Sequence, residues 1–128
     1  YLGIAFCIAH EYDAGYGRLW DYAMGHKPGE AALYTAGALI DGLPYRPMDT
    51  GDTNIQAAHF GETLMLWRAD EKLGEWSLKL DPKQAWMLVD VVGHAEELPV
   101  PADGNVLLTL TPSPVYVLSK AEYSRLVM

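Results

Sequence analysis

From residue 53 onward the hydrophobic period of the sequence is two, and this alternation restricts the fold more than any other feature of the chain. In Trp76–Leu80 one Trp and two Leu residues alternate with Ser and Lys, which is typical of a strand with one buried face. Turn-forming Gly, Pro, Asp and Asn residues separate such segments at short intervals. The pattern predicts six strands: Ile55–Phe60, Thr63–Arg68, Glu75–Leu80, Ala85–Val92, Asn105–Thr111 and Val115–Ser119. Short strands separated by frequent turns favour an antiparallel β-sandwich.

The residues before this region follow two other patterns. Leu2–Ala9 is continuously apolar and about as long as a strand, which is typical of a strand buried on both faces in a parallel sheet. A helix is predicted further on, opening at Pro28, which suits a first helical position, and stopping at Gly42. Its predicted buried stripe consists of Ala32, Leu33, Ala36, Leu39 and Ile40.

These patterns divide the chain into parts. The strand and helix occupy residues 1–43, a linker rich in Pro, Gly and Asp follows in 43–52, and the sandwich occupies 53–119, while the tail 120–128 has no assignment. At 128 residues the chain is too short for a complete (β/α)8 barrel, which needs roughly 250. A lone parallel-type strand and its helix do not bury themselves, so they indicate the last strand–helix unit of a larger domain. The predicted fold class is mainly β, an antiparallel β-sandwich preceded by one strand–helix unit.

Charge and composition exclude several kinds of partner. The formal net charge is −8, from 17 acidic and 9 basic residues, and no basic stripe is visible, so no nucleic acid and no membrane surface is expected as a partner. No run reaches the about 18 apolar residues that a membrane helix needs. The single cysteine, Cys7, lies in an apolar run and is interpreted as a buried thiol rather than a nucleophile.

Motifs for metals and cofactors are absent or incomplete in the sequence. His10-Glu11 begins like the zinc motif His-Glu-x-x-His, but alanine stands where the second His is required. Asp49 and Asp52 lack the alternating ligand series of a calcium loop, so they are interpreted as part of a solvated linker. The sequence therefore predicts neither a metal nor a cofactor.

Several short strings follow one another in a characteristic order. The acidic, Gly-containing loop Glu11-Tyr-Asp-Ala-Gly15 is followed by Tyr16-Gly-Arg-Leu19 and by the helix opening Lys27-Pro28-Gly-Glu-Ala-Ala-Leu-Tyr34. The sandwich region contributes Val89-Asp-Val-Val-Gly-His94 and Leu110-Thr-Pro-Ser-Pro-Val-Tyr-Val117. This order resembles the C-terminal end of clan A, family 39-like retaining glycoside hydrolases, in which a β-sandwich follows a (β/α)8 barrel. The resemblance implies that the apolar strand near the N-terminus is the eighth strand of a barrel.

The resemblance also implies where the chemistry lies. Such enzymes use two carboxyl groups about 5 Å apart. They lie at the ends of the fourth and seventh barrel strands, so the catalytic pair is expected upstream and absent from this chain. His10, Glu11 and Asp13, together with Tyr12, follow the eighth strand at the barrel end that carries active sites, and they are the candidate substrate-binding residues. Alternatively, these side chains cap the loop and bond its backbone. A further alternative makes Glu11 the nucleophile, but another strand and helix should then precede the sandwich.

The resemblance therefore predicts that the chain is the C-terminal fragment of a retaining glycoside hydrolase, in which the sandwich supports the barrel. The predicted substrate is an oligosaccharide or polysaccharide, which the missing barrel would bind. It also implies a secreted or periplasmic protein. The alternative is a stand-alone carbohydrate-binding or protein-interaction sandwich. Trp67, Trp76 and Trp86 bear on this choice. Exposed, coplanar indole rings would stack on sugar and favour a carbohydrate-binding module, whereas buried rings would belong to the core and favour a structural role. The alternation places Trp76 in the core and leaves the face of Trp86 open.

Overall fold

A computed structural model describes residues 28–70 and 72–127. Helix α1 spans Pro28–Leu39, which confirms the predicted helix. The chain turns at Gly42, whose φ of 75° lies in the left-handed region that glycine adopts without strain. The prediction is wrong for Leu33, which is 57% exposed, because a step of about 100° per residue turns it away from the neighbouring Ala32. The buried face of α1 and of the residue after it consists of Ala32, Thr35, Ala36, Leu39 and Ile40.

In the part of the chain that the structure describes, eight strands and a second helix follow α1. The elements are β1 (Tyr45–Met48), β2 (Ile55–Phe60), β3 (Thr63–Arg68), β4 (Gly74–Lys79), β5 (Trp86–Val89), β6 (Ala95–Leu98), β7 (Asn105–Leu110), β8 (Val115–Ser119) and α2 (Lys120–Val127). The predicted bounds of β2, β3 and β8 are confirmed to the residue, while β4, β5 and β7 differ from prediction by one to three residues at an end. The predicted strand Leu2–Ala9 lies outside the described residues.

The sequence prediction missed β1 and β6, and their position in the sheet explains why. The order of the six-stranded sheet is β1-β2-β3-β8-β5-β6, so both missed strands are edges. β1 lies inside the predicted linker 43–52 and exposes three of its four residues. β6 lies in a predicted turn region and carries Glu96 and Glu97. An edge strand that faces solvent does not need hydrophobic alternation, so the pattern gives no signal there.

The six-stranded sheet is covered on both of its faces. β4 and β7 form a two-stranded sheet, and every paired strand in both sheets is antiparallel. The core between the sheets contains Ile55, Leu64, Leu66, Leu78, Val106, Leu108, Leu110 and Val117. The opposite face packs against α1 through Ala58, Phe60, Met65, Met87, Val89, Tyr116 and Leu118. This double coverage explains why β3 is apolar at consecutive positions rather than at alternate ones.

The tail that the sequence left without assignment contains α2. Ser119 Oγ accepts a hydrogen bond from the backbone N–H of Glu122 at 3.1 Å, which caps the first turn of the helix. Ser and Glu at this spacing form the capping-box pattern, and this was the available sequence signal for the helix. Tyr123 and Leu126 then pack against the core on the helix side of the large sheet. α2 therefore adds to the layer that α1 begins.

A bidentate ion pair joins Arg68, the last residue of β3, to Asp70 in the turn that follows. Arg68 Nε donates to Asp70 Oδ1 at 2.8 Å, and Arg68 Nη2 donates to Asp70 Oδ2 at 2.5 Å. These hydrogen bonds from the guanidinium lower the pKa of Asp70 to about 2 from its ordinary value of 3.8. The depressed pKa means that ionised Asp70 stabilises the folded chain above pH 3.8, and that this contribution is lost as the pH falls towards about 2.

We expect the variant Asp70→Asn to lose this acid-sensitive contribution. Between about pH 4 and about pH 2, the melting temperature of the wild-type chain should fall more steeply than that of the variant, since only the wild type gains a proton at this site. Thermal unfolding followed by circular dichroism at several pH values measures the two slopes. Asp41→Asn, at an exposed carboxylate, serves as the control and should keep the wild-type slope. Equal slopes for wild type and Asp70→Asn would contradict the prediction.

Candidate functional site

A groove with a volume of about 320 Å³ lies between the two sheets. Its floor is apolar and consists of buried side chains from three strands, namely Leu64, Leu78 and Val117. The polar residues that line it are His59, Glu62, Lys79, Asp81 and Gln84. The volume falls at the lower end of the range of about 300–1,000 Å³ that is usual for small-molecule sites.

Several polar groups of the groove are already engaged within the protein. Asp81 Oδ1 accepts a hydrogen bond from the backbone N–H of Lys83 at 2.9 Å, and Trp86 Nε1 donates to the Asp81 carbonyl at 2.9 Å. Burial and, to a lesser degree, Arg46 lower the pKa of His59, so its imidazole is neutral near pH 7. A neutral imidazole donates at one nitrogen and accepts at the other. The groove therefore offers hydrogen-bonding groups beside an apolar floor.

Glu62 and Glu122 bring two carboxyl groups together outside the groove floor. Glu122 is buried, and its Oε1 accepts a hydrogen bond from Arg125 Nε at 2.8 Å and a second one from Arg125 Nη2. The hydrogen bonds from the Arg125 guanidinium lower the pKa of Glu122 from its ordinary value. A general acid for glycoside hydrolysis needs a raised pKa, so Glu122 does not fit that role. The ion pair between Glu122 and Arg125 ties the first and last turns of α2 together.

The residues predicted to bind substrate, His10, Glu11 and Asp13, lie outside the residues that the structure describes. Their role therefore stays a prediction, as does the burial of Cys7. Within residues 28–70 and 72–127, no group of three or more His, Cys, Asp or Glu side chains is placed to hold a metal ion. Neither helix of this described part is long and apolar enough to span a membrane.

The two aspartates of the predicted linker act in turns. Asp49 Oδ1 accepts a hydrogen bond from the backbone N–H of Gly51 at 2.9 Å, and Asp52 Oδ1 accepts one from the N–H of Asn54 at 2.9 Å. Each carboxylate thus bonds the backbone two residues further on, which is the Asx-turn arrangement. These contacts fix the connection between β1 and β2.

The three tryptophans of the sandwich do not share one surface. Trp67 packs against the core beneath α1, whereas Trp76 and Trp86 pack against the core between the sheets. All three side chains are half-buried, and the six-stranded sheet separates the first from the other two. The predicted core position of Trp76 is confirmed. The three indoles therefore do not form the single stacking platform that would favour a carbohydrate-binding module.

The side of α1 that points away from the sheet, here called the outer face of α1, is apolar as well. It includes Leu33, which is 57% exposed, and Ala38, and the helix carries no charged residue after Glu30. An adjoining cleft of about 190 Å³ lies between α1 and α2 and is lined by Ala38 and Tyr123, among others. A helix with apolar residues on both sides is typical of a helix buried within a larger protein. This face is therefore a candidate contact surface.

Comparison with known proteins gives a likeness in structure but not in sequence. No family model matches the chain, and no curated protein matches it. A family 39 glycoside hydrolase from the gut symbiont Bacteroides cellulosilyticus WH2 superposes with a TM-score of 0.59 and 20% identity over 73% of this chain. An α-amylase from Malbranchea cinnamomea matches 78% of this chain and 23% of its own with 11% identity and a TM-score of 0.45, which is too low to establish a shared fold.

The chain spans 20% of the length of the family 39 hydrolase. At this level of identity the likeness shows the fold alone. It confirms the predicted fold class, which is mainly β with an antiparallel sandwich, and this fold occurs within a glycoside hydrolase.

Proposed function

We propose that this chain is the C-terminal part of a retaining glycoside hydrolase and that its sandwich supports the catalytic barrel. In this proposal α1 is the last helix of a (β/α)8 barrel, and residues 1–27 supply the barrel strand before it. The observation that carries the proposal is the fold shared with the family 39 hydrolase, of which this chain covers 20%. The two catalytic carboxylates then lie in the part of the whole protein that precedes this chain.

The two apolar sides of α1 support this arrangement. Ala32, Ala36 and Leu39 face the sandwich and are buried, whereas Leu33 on the outer face is 57% exposed. In the proposed enzyme the barrel covers the outer face, so that α1 lies between the barrel and the sandwich. Burying one leucine side chain stabilises a folded protein by about 2 kcal/mol, so burial of Leu33 would stabilise the contact between the barrel and the sandwich.

The proposed substrate is an oligosaccharide or a polysaccharide bound at the barrel. His10, Glu11 and Asp13 would lie at the end of the last barrel strand and contact sugar hydroxyl groups there. The sandwich residues have no catalytic part in this proposal, because the two catalytic carboxylates lie on barrel strands that precede this chain. The 128-residue chain alone is therefore expected to be inactive.

The experiment that tests the proposal compares the 128-residue chain with the product of the complete reading frame. Both are assayed with a panel of aryl glycosides, and the complete protein is expected to hydrolyse at least one while the chain hydrolyses none. Turnover by the pure chain that is lost in Glu11→Gln would overturn the proposal and make Glu11 the nucleophile. A complete protein without any glycosidase activity would overturn it too.

The outer face of α1 gives a second test. Leu33→Ala is expected to lower the free energy of unfolding of the complete protein by about 2 kcal/mol or more, but that of the 128-residue chain by less than about 0.5 kcal/mol. The difference arises because the barrel buries Leu33 only in the complete protein. Leu73→Ala is the matched control, since Leu73 is 73% exposed and lies outside the helix. Chemical denaturation measures both, and equal effects of Leu33→Ala in the two proteins would contradict the proposed contact.

A further inference from the structure

The groove between the two sheets reflects their difference in width. The large sheet has six strands and the small sheet has two, so β4 and β7 do not cover all of the inner face of the large sheet. In the register of the large sheet, His59 of β2 stands opposite Leu64 of β3, and Leu64 stands opposite Val117 of β8. These three side chains form one row of the groove, which is polar at His59 and apolar at the other two. Leu78 of β4 lines the groove from the small sheet.

An indole ring that the protein holds in place lines the same groove. Trp86 is half-buried, and its Nε1 donates to the Asp81 carbonyl at 2.9 Å. The polar atom of the indole is therefore satisfied within the protein, and what Trp86 offers to a ligand is the apolar surface of its ring. Together with the floor of Leu64, Leu78 and Val117, this ring makes one side of any ligand in the groove pack against apolar atoms.

The polar groups of the groove include both donors and acceptors of hydrogen bonds. His59 is neutral near pH 7, so its imidazole donates at one nitrogen and accepts at the other. Gln84 Nε2 donates to Asp81 Oδ2 at 3.4 Å, which leaves the amide oxygen of Gln84 as an acceptor. The ammonium group of Lys79 is a donor. The side chains of His59 and Lys79 make no hydrogen bond to another described residue, so both are available to a ligand.

The charges around the groove balance one another. Glu62 and Asp81 contribute two negative charges to its lining, and Lys79 contributes a positive one. Arg46 adds a second positive charge, because it stands opposite His59 in the register of β1 and β2. The sum is zero, so the local field favours neither an anion nor a cation. The ligand that fits is neutral, with an apolar face for the floor and the indole and with hydroxyl groups for the polar residues.

We propose that this groove binds one pyranose ring of a neutral oligosaccharide. The C–H groups on one face of the ring pack against the indole of Trp86 and the apolar floor, while its hydroxyl groups form hydrogen bonds with His59 and Gln84. The volume of about 320 Å³ suits one ring rather than a long chain, since small-molecule sites usually occupy about 300–1,000 Å³. The choice of a sugar among neutral polyols rests on the proposed function. The site itself is additional to that function, which gives the sandwich a supporting part alone.

Sugar binding by the 128-residue chain tests the proposal. Amide NMR spectra of the isotope-labelled chain are recorded at pH 7 with maltose, cellobiose and lactose as the neutral probes. At least one of them should shift the signals of residues 59–64 and 78–86 with a Kd of about 1 mM, since a ligand of this size gains little free energy per atom. Glucuronate adds a negative charge to the ring of glucose, and it should bind no more tightly than glucose does.

Two variants test the contacts. Gln84→Ala removes an amide at an exposed position, so it should keep the wild-type circular dichroism spectrum and weaken binding about threefold or more. Trp86→Leu keeps an apolar side chain but removes the ring, and it should weaken binding by a similar factor. Gln56→Ala is the matched control for Gln84→Ala, because Gln56 is exposed on β2 outside the groove, and it should bind like the wild type.

Three results would overturn the proposal. The first is a chain whose spectrum does not change with any of the disaccharides at up to about 50 mM. The second is a Gln84→Ala variant that binds as tightly as the wild type. The third is a lower Kd for indole than for every sugar, which would make the groove a site for apolar molecules. A complete protein without glycosidase activity would overturn the proposed function instead, so the two failures are distinguishable.

Discussion

Replacing Leu110 with alanine is expected to lower the free energy of unfolding of the 128-residue chain by about 3 kcal/mol. Leu110 is fully buried in the core between the two sheets. The substitution removes apolar contacts from both sheets and leaves a cavity, because the backbone of β7 is held in place by its register with β4. Urea denaturation followed by tryptophan fluorescence gives the difference.

Leu107→Ala is the matched control, since it is the same change three residues earlier in the same strand. Leu107 is 64% exposed, so the effect should stay below about 0.5 kcal/mol. Similar losses for the two variants would show that β7 does not bury its even-numbered side chains against the large sheet. That outcome would reject the sandwich arrangement itself.

Gly104→Ala is expected to cost about 2–4 kcal/mol, through the backbone rather than through the core. Gly104 has a φ of 79°, which an L-residue adopts at a cost of about 1–2 kcal/mol. A Cβ atom there would lie 2.6 Å from the carbonyl oxygen of Leu80, which is too close, so β4 or the turn before β7 must move. That movement would disturb the hydrogen bond from Leu80 N–H to the Gly104 carbonyl.

Gly51→Ala separates the two causes. Gly51 has a φ of 75°, close to that of Gly104, but a Cβ atom there meets no other atom within 4 Å. Only the cost of the left-handed backbone, about 1–2 kcal/mol, should therefore appear. Thermal unfolding of both variants gives the comparison, and an equal loss at the two positions would mean that the contact with Leu80 has no effect.

The strands whose bounds were predicted to the residue, β2, β3 and β8, all lie inside the large sheet. β3 lies inside the large sheet, and its bounds Thr63–Arg68 were predicted to the residue. Buried strands must be apolar in a regular pattern, whereas β1 and β6 are edges on which solvent imposes no pattern. The prediction for Leu33 was wrong for a related reason. The sequence pattern does not distinguish an apolar residue on the outer face of α1 from one in the core.

The candidate site was less accessible to prediction than the fold. The groove brings together His59 from β2, Lys79 from β4 and Gln84 from the loop after β4, and their proximity depends on how the sheets pack. Residues so far apart in the sequence have no spacing pattern that would predict their proximity in the groove. The capping pattern of Ser119 and Glu122 is different, since it is local and could have indicated α2, which was left without assignment from the sequence.

The strand order of the large sheet has a consequence for the synthesis of the protein. β8 is the last strand in the chain, yet it lies at the centre of the sheet, where it pairs with β3 on one side and with β5 on the other. On the ribosome, β1–β3 and β5–β6 emerge first but have no partner strand to join them until residues 115–119 have left the exit tunnel. The inner edges of β3 and β5 therefore stay without a partner strand from their own synthesis until that of β8. A premature stop between β6 and Val115 would release two half-sheets that are prone to aggregate rather than a shortened but folded sandwich.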